Sequence, residues 1–100
     1  MSDIRLYREY LVSYDIQDTK IRNKLFDALK DVGLKPVQKS VFWGWLSLPE
    51  YTMVKRLFRD RLKKADSAFI VPCKLSQQAD DALYNMILPK EDRPDGYGIL

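Results

Sequence analysis

Tyr10-Leu11-Val12-Ser13-Tyr14-Asp15-Ile16-Gln17-Asp18, followed at once by Thr19-Lys20-Ile21-Arg22-Asn23-Lys24, decides the fold. The first part is rich in β-branched and aromatic residues and reads as a buried strand. It closes on a carboxylate, Asp15, and a helix starts just beyond. Asp18 is the expected N-cap, because its side-chain oxygen can accept a bond from an unpaired first-turn amide. A carboxylate at a strand end, beside a helix carrying Arg22 and Lys24, is a place for a metal ion and a phosphate.

From Asp18 onward Ile21, Leu25, Ala28, Leu29 and Val32 recur at helical spacing and form one apolar stripe. Gly33 follows as the stop, since glycine takes the left-handed conformation without steric cost. Residues 36–47 are too aromatic and β-branched for a helix and too long for one flat strand. They predict two strands joined by a tight turn, or a hairpin bent near Gly44, with Lys39 and Ser40 inside a strand. Ser47-Leu48-Pro49-Glu50 matches a capping box, and Val54, Leu57, Phe58 and Leu62 supply the stripe of a second helix. Its other face is cationic: Lys55, Arg56, Arg59, Lys63 and Lys64, with Arg61 beside them. Residues 67–74 predict a last strand, with Pro72 at its end.

Strand, helix, strand, strand, helix, strand is the βαββαβ order of an α+β, ferredoxin-like sandwich, an antiparallel sheet with two helices on one face. One such core fits residues 1–75, leaving 76–100 as a C-terminal tail. In the tail, residues 83–88 predict an extra strand lying on a partner chain, or a helix from Asp80, with disorder beyond Pro89. Leu11 and Val12 are both apolar yet point to opposite faces of the sheet, as do Ile70 and Val71. A sheet apolar on both sides with helices for only one predicts a homodimer packed sheet to sheet.

Composition narrows the chemistry. The 100 residues contain no histidine and one cysteine, Cys73. Ser-His-Asp and Cys-His schemes are thereby excluded, and a bound metal is expected to be a hard cation held by oxygen, magnesium or else manganese. The four glycines form no phosphate-cradling motif. The start of the chain does not read as a signal peptide, and no apolar stretch reaches membrane-spanning length, so a cytoplasmic protein without membrane contact is expected. The net charge of +3 divides unevenly, with −3 on residues 76–100 and +6 on the first 75. A body this basic suggests a nucleic-acid partner.

Asp15 is the candidate catalytic and metal-binding residue, although a lone carboxylate at a strand end commonly serves as a turn former. A homodimer can bring two Asp15 side chains together, where a cation relieves their repulsion, polarises a phosphodiester and activates a water. Arg22, Lys24, Lys39, Ser40, Lys55, Arg56, Arg59 and Lys63 are the candidate nucleic-acid-binding residues. Like charges packed along one helix repel, so a polyanion following that surface explains them better than solvation alone. Trp43 and Trp45 share a strand face and suit core or interface packing better than base stacking.

The paired signature Tyr14-Asp15 and Gln38-Lys39-Ser40-Val41-Phe42, with Leu-x-x-Val-Gly-Leu between, resembles the Cas-two family of CRISPR-associated proteins. The match runs from about Tyr10 to about Leu75. The resemblance implies a ferredoxin-like homodimer with Asp15 as the magnesium ligand. It also implies metal-dependent endonuclease activity on single-stranded RNA or double-stranded DNA. A further implied role is a bridge that binds the spacer-precursor duplex with the Cas integrase during spacer acquisition, the C-terminal strand pairing with neighbouring chains. Two other readings compete: a stand-alone, toxin-like metal-dependent endoribonuclease, and a non-enzymatic ferredoxin-like regulatory module.

Overall fold

Strand β1 (Leu6–Asp15) is the centre of the sheet because both of its edges are paired. The computed structural model describes residues 6–86, 88 and 98–99. In chain order β1 is followed by α1 (Thr19–Asp31), β2 (Lys35–Gln38), β3 (Val41–Ser47), α2 (Leu48–Arg61) and β4 (Ser67–Pro72). The sheet order is β2-β3-β1-β4, with every neighbouring pair antiparallel. This is the ferredoxin-like α+β arrangement expected from the βαββαβ order.

Alternation along β1 divides its side chains cleanly. Tyr10, Val12 and Tyr14 point into the layer beneath the helices, where they meet Phe42, Leu46, Leu25, Leu29, Val54 and Phe58. Tyr10 stacks on Tyr51 of α2 at 4.9 Å, and Phe26 of α1 meets Phe42 edge-on at 5.2 Å. Both helix starts are capped as the sequence predicts. Asp18 accepts from the Ile21 amide at 3.0 Å, and Ser47 and Glu50 complete a reciprocal capping box. Gly33 ends the first helix with φ of 110°, a conformation that favours glycine.

The hairpin differs in detail from expectation. Its turn is Lys39-Ser40, with Ser40 at a φ of 62°, so these two residues are in the turn and not within a strand. Gly44 makes no bend; it sits mid-strand because the chain passes close above it. A Cβ there would lie 3.1 Å from Leu34 Cδ2 and 3.3 Å from the Gly33 carbonyl oxygen, which is backbone and cannot swing aside. Gly44→Val is therefore expected to destabilise the fold by about 1–3 kcal/mol through overpacking. A urea midpoint lowered with an unchanged slope would show it.

The tail departs further from the sequence reading. After β4 the chain crosses the face of the sheet opposite the helices in a short 3-10 turn, Leu75–Gln77, then forms α3 (Ala79–Ala82). That face is therefore partly covered, and Trp43 beneath it is only 2% exposed. Among the described residues, 83–86 pair with no strand. A two-residue strand β5 (Gly98–Ile99) runs parallel to β1 at Leu6–Tyr7, contrary to the disorder expected past Pro89. Residues 90–97 and 100, the rest of that expectation, lie outside the described ones. β1 itself begins four residues before Tyr10, because Tyr7 to Glu9 pair with β3.

Candidate nucleic-acid interface

One end of the sheet collects the strand-end carboxylate and several of the candidate cations. Asp15 is exposed on the last residue of β1, opposite Ser67 at the start of β4. The Gln17 side-chain amide donates to Asp15 Oδ1 at 3.4 Å. The Lys39-Ser40 turn abuts the same point, since the Tyr14 amide donates to the Ser40 carbonyl at 3.1 Å. The Ser40 side chain also hydrogen-bonds Tyr14. Burial nevertheless holds the Tyr14 phenol above its ordinary range, outweighing that bond and the nearby Arg22.

Arg22 turns back toward the strand end. It donates through Nη1 to the Ile16 carbonyl at 2.9 Å and through Nη2 to Thr19 Oγ1 at 3.2 Å. These bonds fix the guanidinium beside the β1–α1 loop while leaving it partly exposed. Lys63 approaches the same loop, its ammonium 3.8 Å from Asp18. Both groups face solvent, so this ion pair contributes little to stability and the lysine stays available to an anion.

Asp66 is the residue that sequence reasoning missed here. Its Oδ1 accepts from the Gln17 amide and its Oδ2 from the Lys63 amide, each at 3.0 Å. One carboxylate thus ties the loop carrying Asp15 to the loop carrying Lys63. The signal was present: an aspartate one residue before a strand commonly bonds nearby backbone amides. Those two amides lower the Asp66 pKa from 3.8. A group with a depressed folded pKa stabilises the fold above its unfolded value and loses that contribution as pH falls through the folded value. The Tm difference between wild type and Asp66→Ala is accordingly expected to stay constant from neutral pH to about 4 and to vanish in stronger acid. Thermal melts at stepped pH check it.

The remaining cations lie along the helices. Lys24, with Lys20 and Arg61, lines a cavity of about 250 Å³ between α1 and α2, floored by Ile21, Leu25, Ala28 and Leu57. Lys55 lies over the Tyr51 ring at 5.1 Å, Arg56 is exposed, and Arg59 pairs with Asp60 at 3.2 Å. The structure therefore groups Asp15, Ser40, Lys39, Arg22 and Lys63 at one end and extends Lys55, Arg56 and Arg59 along α2. Cys73 is no nucleophile at neutral pH; burial raises its thiol pKa to about 11.

A ferredoxin-like domain with a carboxylate on its central strand end and a cationic helix layer defines a class of small basic α+β proteins. Comparison with known proteins makes the placement specific. The family model described as CRISPR associated protein Cas2 matches residues 8–81, and the chain belongs to that family. It is 44% identical over 78 residues to the CRISPR-associated endoribonuclease Cas2 1 of Francisella tularensis subsp. novicida, covering 78% of this chain and 80% of that protein. It is 39% identical over 72 residues to the CRISPR-associated endoribonuclease Cas2 2 of Pyrobaculum aerophilum, covering 71% and 77%. A solved hypothetical protein from Thermus thermophilus superposes with a TM-score of 0.61 at 36% identity, over 68% of this chain and 83% of that one. A crystal structure of cas2 superposes at 0.60 with 27% identity, over 66% and 74%. No helix among the described residues is long and apolar enough to cross a membrane.

Proposed function

We propose that two copies of this chain assemble one nucleic-acid-binding site around paired Asp15 residues. In this reading the protein serves CRISPR adaptation beside the Cas integrase and cleaves phosphodiesters in a magnesium-dependent way, with manganese as the alternative ion. The observation that carries it is the gathering of Arg22, Lys39 and Lys63 around the Asp15 end, continuous with the cations of α2.

The donor set suits a hard cation. Among the described residues no group of three or more histidine, cysteine or acidic side chains could hold a metal. One chain thus offers Asp15 as a single carboxylate oxygen ligand, and a second copy with water and phosphate oxygens would complete the shell. When bound, such a cation supplies charge neutralisation at the phosphodiester and an activated water. The chain's own residues then bind and orient the backbone: Lys39 and Lys63 by charge, Arg22 from its fixed position.

The length of the cationic surface favours an adaptor for a duplex over a small toxin-like ribonuclease. Its part on α2, from Lys55 to Arg61, is about 9 Å long at 1.5 Å per residue. That spans roughly three base pairs and continues into the Lys63 and Lys39 group at the Asp15 end, more surface than cutting one phosphodiester requires. The names of the relatives point to RNA, so the test must offer both nucleic acids. Sedimentation velocity of the protein with labelled duplex DNA and with labelled single-stranded RNA, at stepped salt, is decisive. A dimer that binds the duplex with steeply salt-dependent affinity supports the reading. A monomer that ignores both at low salt defeats it.

A further inference from the structure

The tail segment that crosses the open face of the sheet is fastened there by one carboxylate. Glu9, on β1, is only 4% exposed. Its Oε2 accepts from the Trp43 indole at 2.6 Å, from the Ser76 amide at 2.8 Å and from the Cys73 thiol at 3.6 Å. Its Oε1 accepts the Ser76 hydroxyl at 2.6 Å, and its main-chain carbonyl accepts the Cys73 amide at 3.0 Å. Removing that carboxylate would strand buried donors on the strand and on the tail at once.

The same face looks different closer to Asp15. Leu11, Ser13, Val41, Phe69 and Val71 share it by register, and Phe69 and Val71 remain 48% and 41% exposed. Among the described residues the face is thus split into a half covered by the tail around Glu9 and a more open apolar half around Ser13, where Phe69 and Val71 are exposed.

We infer that Glu9 is a positioning residue that pins residues 73–76 over its own half and reserves the half around Ser13 for a second copy of this chain. The inference rests on the homodimer reading above and deepens it. A second copy is the occupant because the strip carries no charge at its centre. A two-fold axis through Ser13 lays the strip on an identical strip, which is the self-complementarity an isologous contact needs. Strand geometry makes the choice of half consequential. With the axis at Ser13, each Asp15 lies two residues along the strand, about 7 Å from it, so the two are at most about 14 Å apart along the strands. With the axis at Glu9, six residues or about 20 Å puts them up to about 40 Å apart. Only the first places the two carboxylates at facing parts of one contact.

The test is a cross-link in a Cys73→Ser background, where serine still donates to Glu9. Ser13→Cys is expected to give a covalent dimer with a short bismaleimide thiol cross-linker, because face-packed sheets stand about 10 Å apart, beyond the reach of a direct disulfide. Adding Glu9→Ala or Ser76→Ala is expected to cut the yield roughly tenfold, the scale of one lost charge-assisted hydrogen bond. Glu9→Gln, which keeps an acceptor oxygen, should restore part of it. Ser76→Ala removes one tail hydroxyl and keeps the test valid if Glu9→Ala fails to fold. A dimeric protein whose Ser13→Cys cross-linking is absent, or is unchanged by both variants, overturns the inference alone. A wild type that sediments as a monomer overturns the homodimer reading and this inference with it.

Discussion

Asp15→Asn is expected to lower magnesium-dependent cleavage of single-stranded RNA or duplex DNA by at least about 100-fold, the scale on which one catalytic group acts. Duplex binding should stay within about twofold, because the substitution removes no cation from the phosphate-binding surface. Asp15 is exposed and accepts a 3.4 Å bond from the Gln17 side chain, so the amide replaces it without disturbing the core. Asp27→Asn, at an exposed position on α1, is the control for the change of charge. Cleavage retained by Asp15→Asn would remove Asp15 from the chemistry, and binding lost with it would make the residue structural.

Neutralising the α2 face should act on binding instead. The triple substitution of Lys55, Arg56 and Arg59 by glutamine removes three candidate phosphate contacts from a helix whose buried side is untouched. Each such contact contributes about 0.9 to the slope of log affinity against log salt, so the slope should shrink by about 2.7. Near 0.1 M salt that corresponds to a loss of roughly 100-fold or more in affinity. Stability should change little. The Arg59–Asp60 pair is exposed on both sides, and the Lys55 contact with the Tyr51 ring is worth about 0.5–1 kcal/mol at such a site. Fluorescence anisotropy of a labelled duplex across salt reads both quantities. An unchanged slope would show that the duplex follows another surface.

How far the sequence could be read depended on whether the deciding interactions were local. The caps of α1 and α2 use residues three apart, Asp18 with Ile21 and Ser47 with Glu50, and were visible from spacing alone. The alternation of β1 and the stripe of α1 likewise revealed the sandwich. The turn at Lys39-Ser40 was missed because nothing in its residue types demands a positive φ, which Ser40 adopts once the Tyr14 amide is bonded to its carbonyl. Gly44 looked like a bend because its reason for being glycine, the approach of Gly33 and Leu34, lies ten residues away in sequence.

The longest separations were the least legible. Glu9 reads as a solvated charge until Ser76, 67 residues on, is seen to bury it. The covering of Trp43 by the tail follows from the same contact, which is why the open face looked wholly uncovered in sequence. Asp66 shows the intermediate case: its residue type signals a turn, but its bond to Gln17 across 49 residues is a product of the fold. The candidate site was half legible for the same reason. Asp15 and Arg22 are seven residues apart on one strand–helix connection, whereas Lys63 reaches that place only through the packing of α2.

The central claim is that two chains build one site from paired Asp15 residues, and counting manganese ions bound per chain tests it most directly. Titration of the wild-type protein, followed by the electron spin resonance of free manganese, should saturate at half an ion per chain, and Asp15→Asn should bind none. Saturation at one ion per chain, or binding that persists in Asp15→Asn, would contradict the account.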